Sequence, residues 1–217
     1  MNAITVLDLG LQDYGEVWRL QQELVEKRAE GKIGDRLLLV EHPPVYTVGR
    51  RSHDLSFEGL GLPVYRIERG GDITYHGPGQ LVGYPILKIE SWPADVKLYV
   101  ETLEGILLDA VGRFGIRGRR VEGHTGLWVG EKKLASIGVA VRRWVTYHGF
   151  ALNVNCDLEP FRRIRPCGLD GERITSAREL LGHEIPMADV KAAVLQAFSD
   201  RMGARLNVET LAAVRVP

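Results

Sequence analysis

Cys167 is the side chain of this sequence that is best placed for nucleophilic chemistry. It stands in Ile164-Arg-Pro-Cys-Gly168, where a proline precedes it and a glycine follows it, so the pattern predicts a thiol held on a turn. An ordinary cysteine is only about 3% thiolate at neutral pH, so a nucleophilic role requires a basic or cationic neighbour. Without one, Cys167 would be a small buried hydrophobic residue, which is the role that we expect for Cys156.

Lys133 is the candidate for that basic neighbour. It begins the otherwise apolar stretch 133–141, whereas Lys132 belongs to the turn before it. Burial disfavours the charged form of a lysine and would lower its pKa toward the working range. The alternative is an edge residue whose stem covers apolar surface while its ammonium reaches water. The hypothesis therefore depends on the pairing of Lys133 with Cys167.

A glycine-rich motif, Arg69-Gly-Gly-Asp-Ile-Thr-Tyr-His-Gly-Pro-Gly-Gln80, is the third candidate for a site. Its four glycines allow the chain to fold tightly around a ligand, and the alternation around Ile73 and Tyr75 predicts a short strand. A plain glycine-rich hairpin is the alternative. A dinucleotide fingerprint is disfavoured because Val82 occupies the place of its third glycine and Pro85 lies where a helix would be required.

Other cofactor and metal patterns are missing from the sequence. The six histidines do not fall at zinc-site spacings, and the two cysteines are eleven positions apart. The stretch 126–132 lacks the Gly-Lys-Ser/Thr ending of a phosphate-binding loop, and Ser136 lacks the Gly-x-Ser-x-Gly pattern of a hydrolase. We therefore expect neither a metal site nor a cofactor.

Length and charge narrow the possible classes of protein. The chain has 217 residues, 45% of them hydrophobic, which predicts a single domain over residues 1–217 that buries about 70–75% of its unfolded surface. Lys+Arg and Asp+Glu both number 28, so no overall field favours nucleic acid or membrane. The N-terminal residues lack a signal-peptide pattern and no run of eighteen apolar residues occurs, so we expect a cytoplasmic protein.

The elements that must position these residues follow from hydrophobic periodicity. The pattern predicts strands at 3–9, 36–41, 45–49, 64–67, 80–89, 127–129, 133–144 and 145–154, the last broken at Gly149. It predicts helices at 13–29, 93–115 and 188–202, and a capping box from Ser176 to Glu179. We expect an α+β fold with one central mixed or antiparallel sheet flanked by helices, in which 36–41 and 45–49 both belong to the main sheet and the last fifty residues are a helical elaboration.

Taken together, the glycine-rich motif, Lys133-Leu-Ala-Ser-Ile-Gly138, Gly149-Phe-Ala-Leu-Asn153 and Pro166-Cys-Gly168 resemble the lipoyl(octanoyl) transferase family. The motifs occur in the family's order, over residues 37–181. The resemblance implies a catalytic domain like that of the biotin and lipoate protein ligases. It also implies transfer of an octanoyl group from acyl carrier protein to a specific lysine of lipoyl domains in 2-oxoacid dehydrogenase complexes and of the glycine cleavage H protein.

The resemblance also implies roles for individual residues. Cys167 is similar to the nucleophile that forms the acyl thioester, and Lys133 to the residue that lowers the thiol pKa and moves protons. The residues implied to bind the acyl substrate are Arg69, Gly70, Gly71, Asp72, Ile73, Thr74, Tyr75, His76, Ser136, Ile137, Gly138, Gly149, Phe150 and Ala151. Within this set we expect Ile73, Tyr75 and Ile137 to shape the apolar part of the pocket.

Two other functions remain open from the sequence. An ATP-dependent lipoate ligase would share the fold but would not need Cys167. In a non-catalytic acyl- or lipoyl-domain-binding module, Cys167 would be an inert packing residue. Because acyl carrier proteins are acidic, the transferase hypothesis predicts docking on arginines. The candidates are Arg117, Arg119, Arg120, Arg142, Arg143, Arg162 and Arg163.

Overall fold

The structure is a computed structural model, and it describes residues 3–50, 60–89, 95–164 and 173–210. Cys167 lies outside the described residues. Within them, the strands form one eight-stranded sheet and one three-stranded sheet, with helices on both faces of the larger one.

The larger sheet is mixed. Its order is β11-β1-β2-β6-β10-β9-β8-β7, in which β11, β1 and β2 are parallel and every later neighbour is antiparallel. Its strands are β1 Ala3–Leu11, β2 Asp35–Glu41, β6 Gln80–Ile86, β7 Arg119–Val121, β8 His124–Val129, β9 Lys132–Arg142, β10 Val145–Asn153 and β11 Arg205–Thr210. The mixed α+β architecture predicted from the sequence is confirmed.

The smaller sheet corrects one prediction. It consists of β3 Val45–Val48 between β4 Val64–Arg66 and β5 Ile73–His76. We predicted that residues 45–49 would join the main sheet, but among the described strands β3 pairs with β4 and β5 alone. Pro43 and Pro44 precede it, and proline both fixes the backbone and removes an N–H donor, so the chain leaves the main sheet after β2.

The helices are α1 Tyr14–Ala29, α2 Val96–Gly112, α3 Glu159–Arg162, α4 Ala177–Leu181 and α5 Met187–Met202. The Asp13 and Asp95 carboxylates accept backbone N–H groups at the starts of α1 and α2. Ser176 accepts the Glu179 N–H as its capping box predicts. The other half of the box differs, because the Glu179 carboxylate accepts from Thr175 and Lys132.

Two apolar layers hold the helices against the larger sheet. Alternate residues of β2 point to opposite faces, so Leu38 and Val40 pack with α1, whereas Leu37 and Leu39 pack with α2 and α5. Fully burying one such side chain contributes about 1.5–3 kcal/mol, which explains why the continuous apolar run of β2 is covered on both sides.

Two further details differ from the sequence predictions. β10 is not broken at Gly149, which pairs with Gly138 of β9 in an unbroken register. The C-terminal region is not wholly helical, because β11 pairs in parallel with β1.

Among the described helices, none combines the length and the apolar character needed to cross a bilayer.

Candidate active site

A cavity of about 460 Å³ lies where β5, β6, β9 and β10 meet the loops before β5 and β8. That volume is within the range of about 300–1,000 Å³ that small-molecule sites usually have. The cavity is lined by Tyr14, Arg69, Gly70, Gly71, Asp72, Ile73, Thr74, His76, Val82, Tyr84, Val96, Val100, Gly123, His124, Thr125, Lys133, Ser136, Ile137, Gly138, Val139, His148, Gly149, Phe150 and Ala151.

The glycine-rich loop, residues 69–72, crosses the edge of β9 and forms one wall of this cavity. The Gly70 N–H donates to the Val139 carbonyl over 3.0 Å. A Cβ atom on Gly138 would lie 2.8 Å from the Gly70 carbonyl oxygen, so glycine at position 138 allows the loop to approach the strand. Gly70 and Gly138 are 68 positions apart in the sequence, and their two motifs are therefore in direct contact.

Arg69 is fixed inside this wall. Its side chain is buried, and Nη2 donates to both the carbonyl oxygen and Oγ1 of Thr47, over 2.8 and 3.0 Å. Nη1 donates to the Gly70 carbonyl over 3.0 Å. Because Thr47 belongs to β3, the smaller sheet positions the guanidinium at the cavity.

Lys133 is the second residue of β9, and its side chain lines the cavity although only 5% of the residue is exposed. Its ammonium lies 5.6 Å from the centroid of the Trp128 ring, at a distance where the indole face attracts a cation. A Cβ atom on Gly126 would lie 2.7 Å from Cε of Lys133. The absence of a side chain at position 126 therefore gives the lysine its path to the cavity.

The backbone of Lys133 also contacts the segment that follows the undescribed residues 165–172. It forms a parallel bridge with Ile174, and its carbonyl accepts the Thr175 N–H over 3.0 Å. Ile174 is seven positions after Cys167 in the sequence. The structure thus describes one flank of the Cys167 segment next to Lys133, while Cys167 itself is outside the described residues.

Cys156 behaves as predicted for an inert thiol. It is free and buried, 1% exposed, and burial raises the pKa of its thiol to about 12. It is therefore protonated throughout the physiological range and is a poor nucleophile.

The implied acyl-site residues line the cavity, with Tyr75 as the exception. Tyr75 of β5 lies outside the lining, and its side chain belongs to the same apolar cluster as that of Ile73. There the Tyr75 ring packs against Tyr46 and the edge of Phe161, with centroid distances of 5.7 and 5.3 Å. The structure therefore brings Ile73 and Ile137 to the cavity that we expected them to shape, but not Tyr75.

Sequence reasoning missed His148, which also lines the cavity. Its φ angle is +53°, a conformation that non-glycine residues rarely adopt, and its N–H donates to Gln21 Oε1 over 2.8 Å. Burial lowers the pKa of its ring, and the neutral ring lies 3.4 Å from a Glu68 carboxylate oxygen. That hydrogen bond is the main reason why the pKa of Glu68 is lowered to about 2. The one signal in the sequence that could have indicated His148 is its position directly before the motif Gly149-Phe-Ala-Leu-Asn153.

The seven arginines predicted to dock a carrier protein do not form one surface. Arg142 is the last residue of β9 and Lys133 the second, so their backbones are about 30 Å apart along the strand. Arg142 and Arg143 both pair with Glu26 of α1, whereas Arg119 pairs with Glu131 beside β9's first residues.

Among the described residues, no group of three or more His, Cys, Asp or Glu side chains could hold a metal ion.

Comparison with known proteins gives two kinds of similarity. The family model described as the lipoyl protein ligase A/B catalytic domain matches residues 13–199. The chain is 49% identical to an octanoyltransferase of Syntrophotalea carbinolica, covering 89% of this chain and 92% of the relative. It is 47% identical to an octanoyltransferase of Rubrobacter xylanophilus, covering 89% and 91%.

Solved structures show the same fold at much lower identity. A lipoate-protein ligase A bound with ATP superposes with a TM-score of 0.76 at 16% identity, covering 97% of this chain and 90% of that one. A biotin protein ligase from Aquifex aeolicus gives a TM-score of 0.54 at 14% identity, covering 94% and 70%. The fold expected from the sequence resemblance is confirmed by these structures.

Proposed function

Because this chain belongs to the octanoyltransferase family, within the lipoyl protein ligase A/B catalytic domains, we propose that it transfers an octanoyl group during protein lipoylation in the cytoplasm. The donor is octanoyl-acyl carrier protein, and the acceptor is a specific lysine of lipoyl domains, including the glycine cleavage H protein. Cys167 carries the acyl group between them as a thioester, and Lys133 moves the protons.

The observation that carries this proposal is that Lys133 and the glycine-rich loop line the same cavity. The walls combine apolar side chains with backbone from several glycines, as an acyl chain with one polar end requires. Burying the six or seven CH₂ groups of an octanoyl tail contributes about 5 kcal/mol at about 0.8 kcal/mol each. That free energy is large enough for the depth of the cavity to select chain length.

In the first step, neutral Lys133 takes the proton of Cys167, and the thiolate attacks the thioester carbonyl of the donor. The new carbon–sulfur bond replaces the bond to the carrier, whose thiolate then takes the proton from the Lys133 ammonium. Lys133 is suited to this role by position, because its buried side chain lines the cavity beside the Trp128 ring. Thioester exchange of this kind is nearly isoenergetic and needs no nucleotide.

In the second step, the amine of the acceptor lysine attacks the octanoyl thioester of Cys167. Lys133 takes a proton from that amine as the amide forms, and returns it to the departing Cys167 thiolate. The enzyme is then back in its starting state. Conversion of a thioester into an amide runs downhill, which supplies the driving force for this step.

Intact-mass measurement tests the proposal and separates it from its alternatives. After incubation with octanoyl-acyl carrier protein without ATP, the wild type should gain one octanoyl group that is lost in Cys167→Ala, retained in Cys156→Ala and transferable to a lipoyl domain. An adduct or product only when ATP and a free fatty acid are supplied would instead indicate a ligase. No covalent product under either condition would indicate a binding module.

A further inference from the structure

A continuous row of buried hydrogen bonds joins the cavity wall to the backbone of Lys133. Its members, in order, are Arg69, Thr47, His76, Gln80, Asn153 and Thr175, all of them buried. Successive donor–acceptor distances from Arg69 to the Thr175 carbonyl are 3.0, 3.2, 2.7, 2.9 and 3.0 Å. The Thr175 N–H then donates to the Lys133 carbonyl over 3.0 Å. We call this set the polar row.

The direction of each hydrogen bond in the polar row is set by its neighbours. Thr47 Oγ1 accepts from Arg69, so its hydrogen is available to Nε2 of His76. The Gln80 amide nitrogen donates to Tyr75 and Asn153, so its oxygen faces His76 and accepts from Nδ1–H. Burial lowers the pKa of His76 to about 3, which keeps the ring neutral as this arrangement requires.

The polar row passes the end of β10 at Asn153. β10 pairs with β9 as far as Leu152 opposite Ala135, and Asn153 is its last residue. Beyond that point Ile174 takes the place beside Lys133, in a parallel bridge. The Asn153 amide holds the segment of Ile174 and Thr175 by donating to the Thr175 carbonyl. Asn153 therefore connects the end of one sheet partner of β9 to the start of the next.

We propose that Asn153 and Gln80 are positioning residues of the acyl-transfer reaction, which hold Thr175 against the backbone of Lys133 and so fix the ammonium relative to the cavity wall. The inference rests on the proposed function. It assigns no contact with substrate to either residue. Loss of the Asn153 amide leaves the Thr175 carbonyl without a buried donor and loosens the segment beside Lys133.

Asn155 supplies a matched control for Asn153. It is the same residue type, two positions further along, and it also holds a distant backbone, that of Ile185, through its amide and carbonyl groups over 2.8 and 3.1 Å. That contact lies outside the polar row. Asn153→Leu and Asn155→Leu therefore remove similar hydrogen bonds, but only the first acts on Thr175 and Lys133.

The test measures the rate of octanoyl-enzyme formation from octanoyl-acyl carrier protein, together with the pH profile of Cys167 alkylation. For folded Asn153→Leu we expect acylation to be slower by about 10- to 100-fold with an unchanged KM for the carrier, because a shift of about 1 Å in a reacting group has an effect of this size. The alkylation midpoint should move toward that of a free cysteine, about pH 8.5. Asn155→Leu should keep the wild-type rate and midpoint.

The outcomes separate this inference from the proposed function. If wild-type protein gains no octanoyl group at Cys167, the proposed function fails. If wild type is acylated and folded Asn153→Leu is acylated at the same rate, the positioning role is wrong while the proposed function stands. Hydrogen exchange of the wild type covers the case in which Asn153→Leu does not fold. The Thr175 amide should be as protected as the amides of β9, and exchange at the rate of an exposed amide would overturn the inference.

Discussion

The Lys133 side chain occupies the space that a side chain at position 126 would need. A Cβ atom on Gly126 would lie 2.7 Å from Cε and 3.4 Å from Nζ of Lys133, and 2.4 Å from the carbonyl oxygen of Ala135. The Gly126 N–H donates to the buried carboxylate of Glu104 over 2.9 Å, which fixes its backbone in place. Position 126 therefore determines where the lysine side chain can go.

Gly126→Ala should lower both stability and octanoyl transfer, because the methyl group displaces Lys133 and meets the backbone of Ala135. Gly130→Ala is the matched control: Gly130 also has positive φ, +56°, but a Cβ there meets nothing within 4 Å. The control should cost about 1–2 kcal/mol from backbone strain alone and leave the transfer rate unchanged. Urea denaturation and transfer kinetics measure the two effects, and equal transfer rates in both variants would contradict this account.

Lys133→Ala should reduce octanoyl transfer by about 10²–10⁴-fold, the usual contribution of a positioned acid–base group. Lys132→Ala is the control, since Lys132 pairs at the surface with Glu179 over 2.9 Å and such pairs contribute about 0–1 kcal/mol. Steady-state transfer rates and thiol titration of Cys167 test the comparison. If the Lys132 variant lost as much activity as the Lys133 variant, a role specific to Lys133 would be excluded.

The buried thiol of Cys156 should contribute to the pH dependence of stability. Its pKa is raised from the ordinary value of 9.0 to about 12 in the folded protein, because burial disfavours the thiolate. Its contribution is therefore fully present below about pH 9 and is lost as pH rises toward 12, because only the unfolded state ionises in that window. Cys156→Ala should flatten the fall of unfolding free energy above pH 9, which denaturation at several pH values measures. A curve parallel to that of the wild type would contradict this.

His42 should make the protein sensitive to acid. Its Nδ1 and Nε2 lie 2.8 and 2.9 Å from the Gln12 carbonyl and the Tyr84 hydroxyl, and burial lowers its pKa to about 4. Stability from this group is fully present above about pH 6.5 and is lost as pH falls toward 4, because the unfolded state takes up a proton first. His42→Gln should reduce the slope of unfolding free energy by roughly 1 kcal/mol per pH unit in this range. An unchanged slope in His42→Gln would contradict this prediction.

Arginines near Lys133 should matter for docking of an acidic carrier more than those at the far end of β9. Arg119 and Arg173 both pair with Glu131, and Arg173 lies over the same Trp128 ring as Lys133. Arg119→Glu with Arg173→Glu should raise KM for octanoyl-acyl carrier protein by about tenfold, or about 1.4 kcal/mol. Arg142→Glu with Arg143→Glu should leave it unchanged. The opposite ranking would place the docking surface at the β9–β10 turn.

The sequence predicted elements well where local signals determine them. α1, α2 and α5 begin and end within a few residues of the predicted bounds, because caps and hydrophobic periodicity act over short distances. The partners of β3 and β11 depend on residues far away in the chain, so their places in the sheets could not be derived from local patterns.

In the candidate site, too, local signals could be read from the sequence and contacts between distant residues could not. The sequence singled out the glycine-rich loop and Lys133 by residue type and spacing, and both line the cavity. Gln80 and Asn153 are the last residues of the motifs 69–80 and 149–153. Their hydrogen bonds to each other and to Thr175 join residues 73 and 22 positions apart, which no periodicity encodes. Tyr75 lies outside the cavity lining because its ring packs against Tyr46 and Phe161, and the strand pattern does not encode the contact with the distant Phe161.

The pairing of β1 with β11 joins positions about two hundred residues apart, beginning with Ala3 opposite Arg205. The strands and loops that line the cavity are encoded mainly between residues 69 and 151, in a continuous middle portion of the chain. During synthesis, most residues that line the cavity therefore leave the ribosome before β11, the strand at the edge of the sheet. Since chains acquire structure in the order of their synthesis, this edge of β1 stays unpaired until β11 has been made, and an unpaired strand edge is a site where other chains can pair.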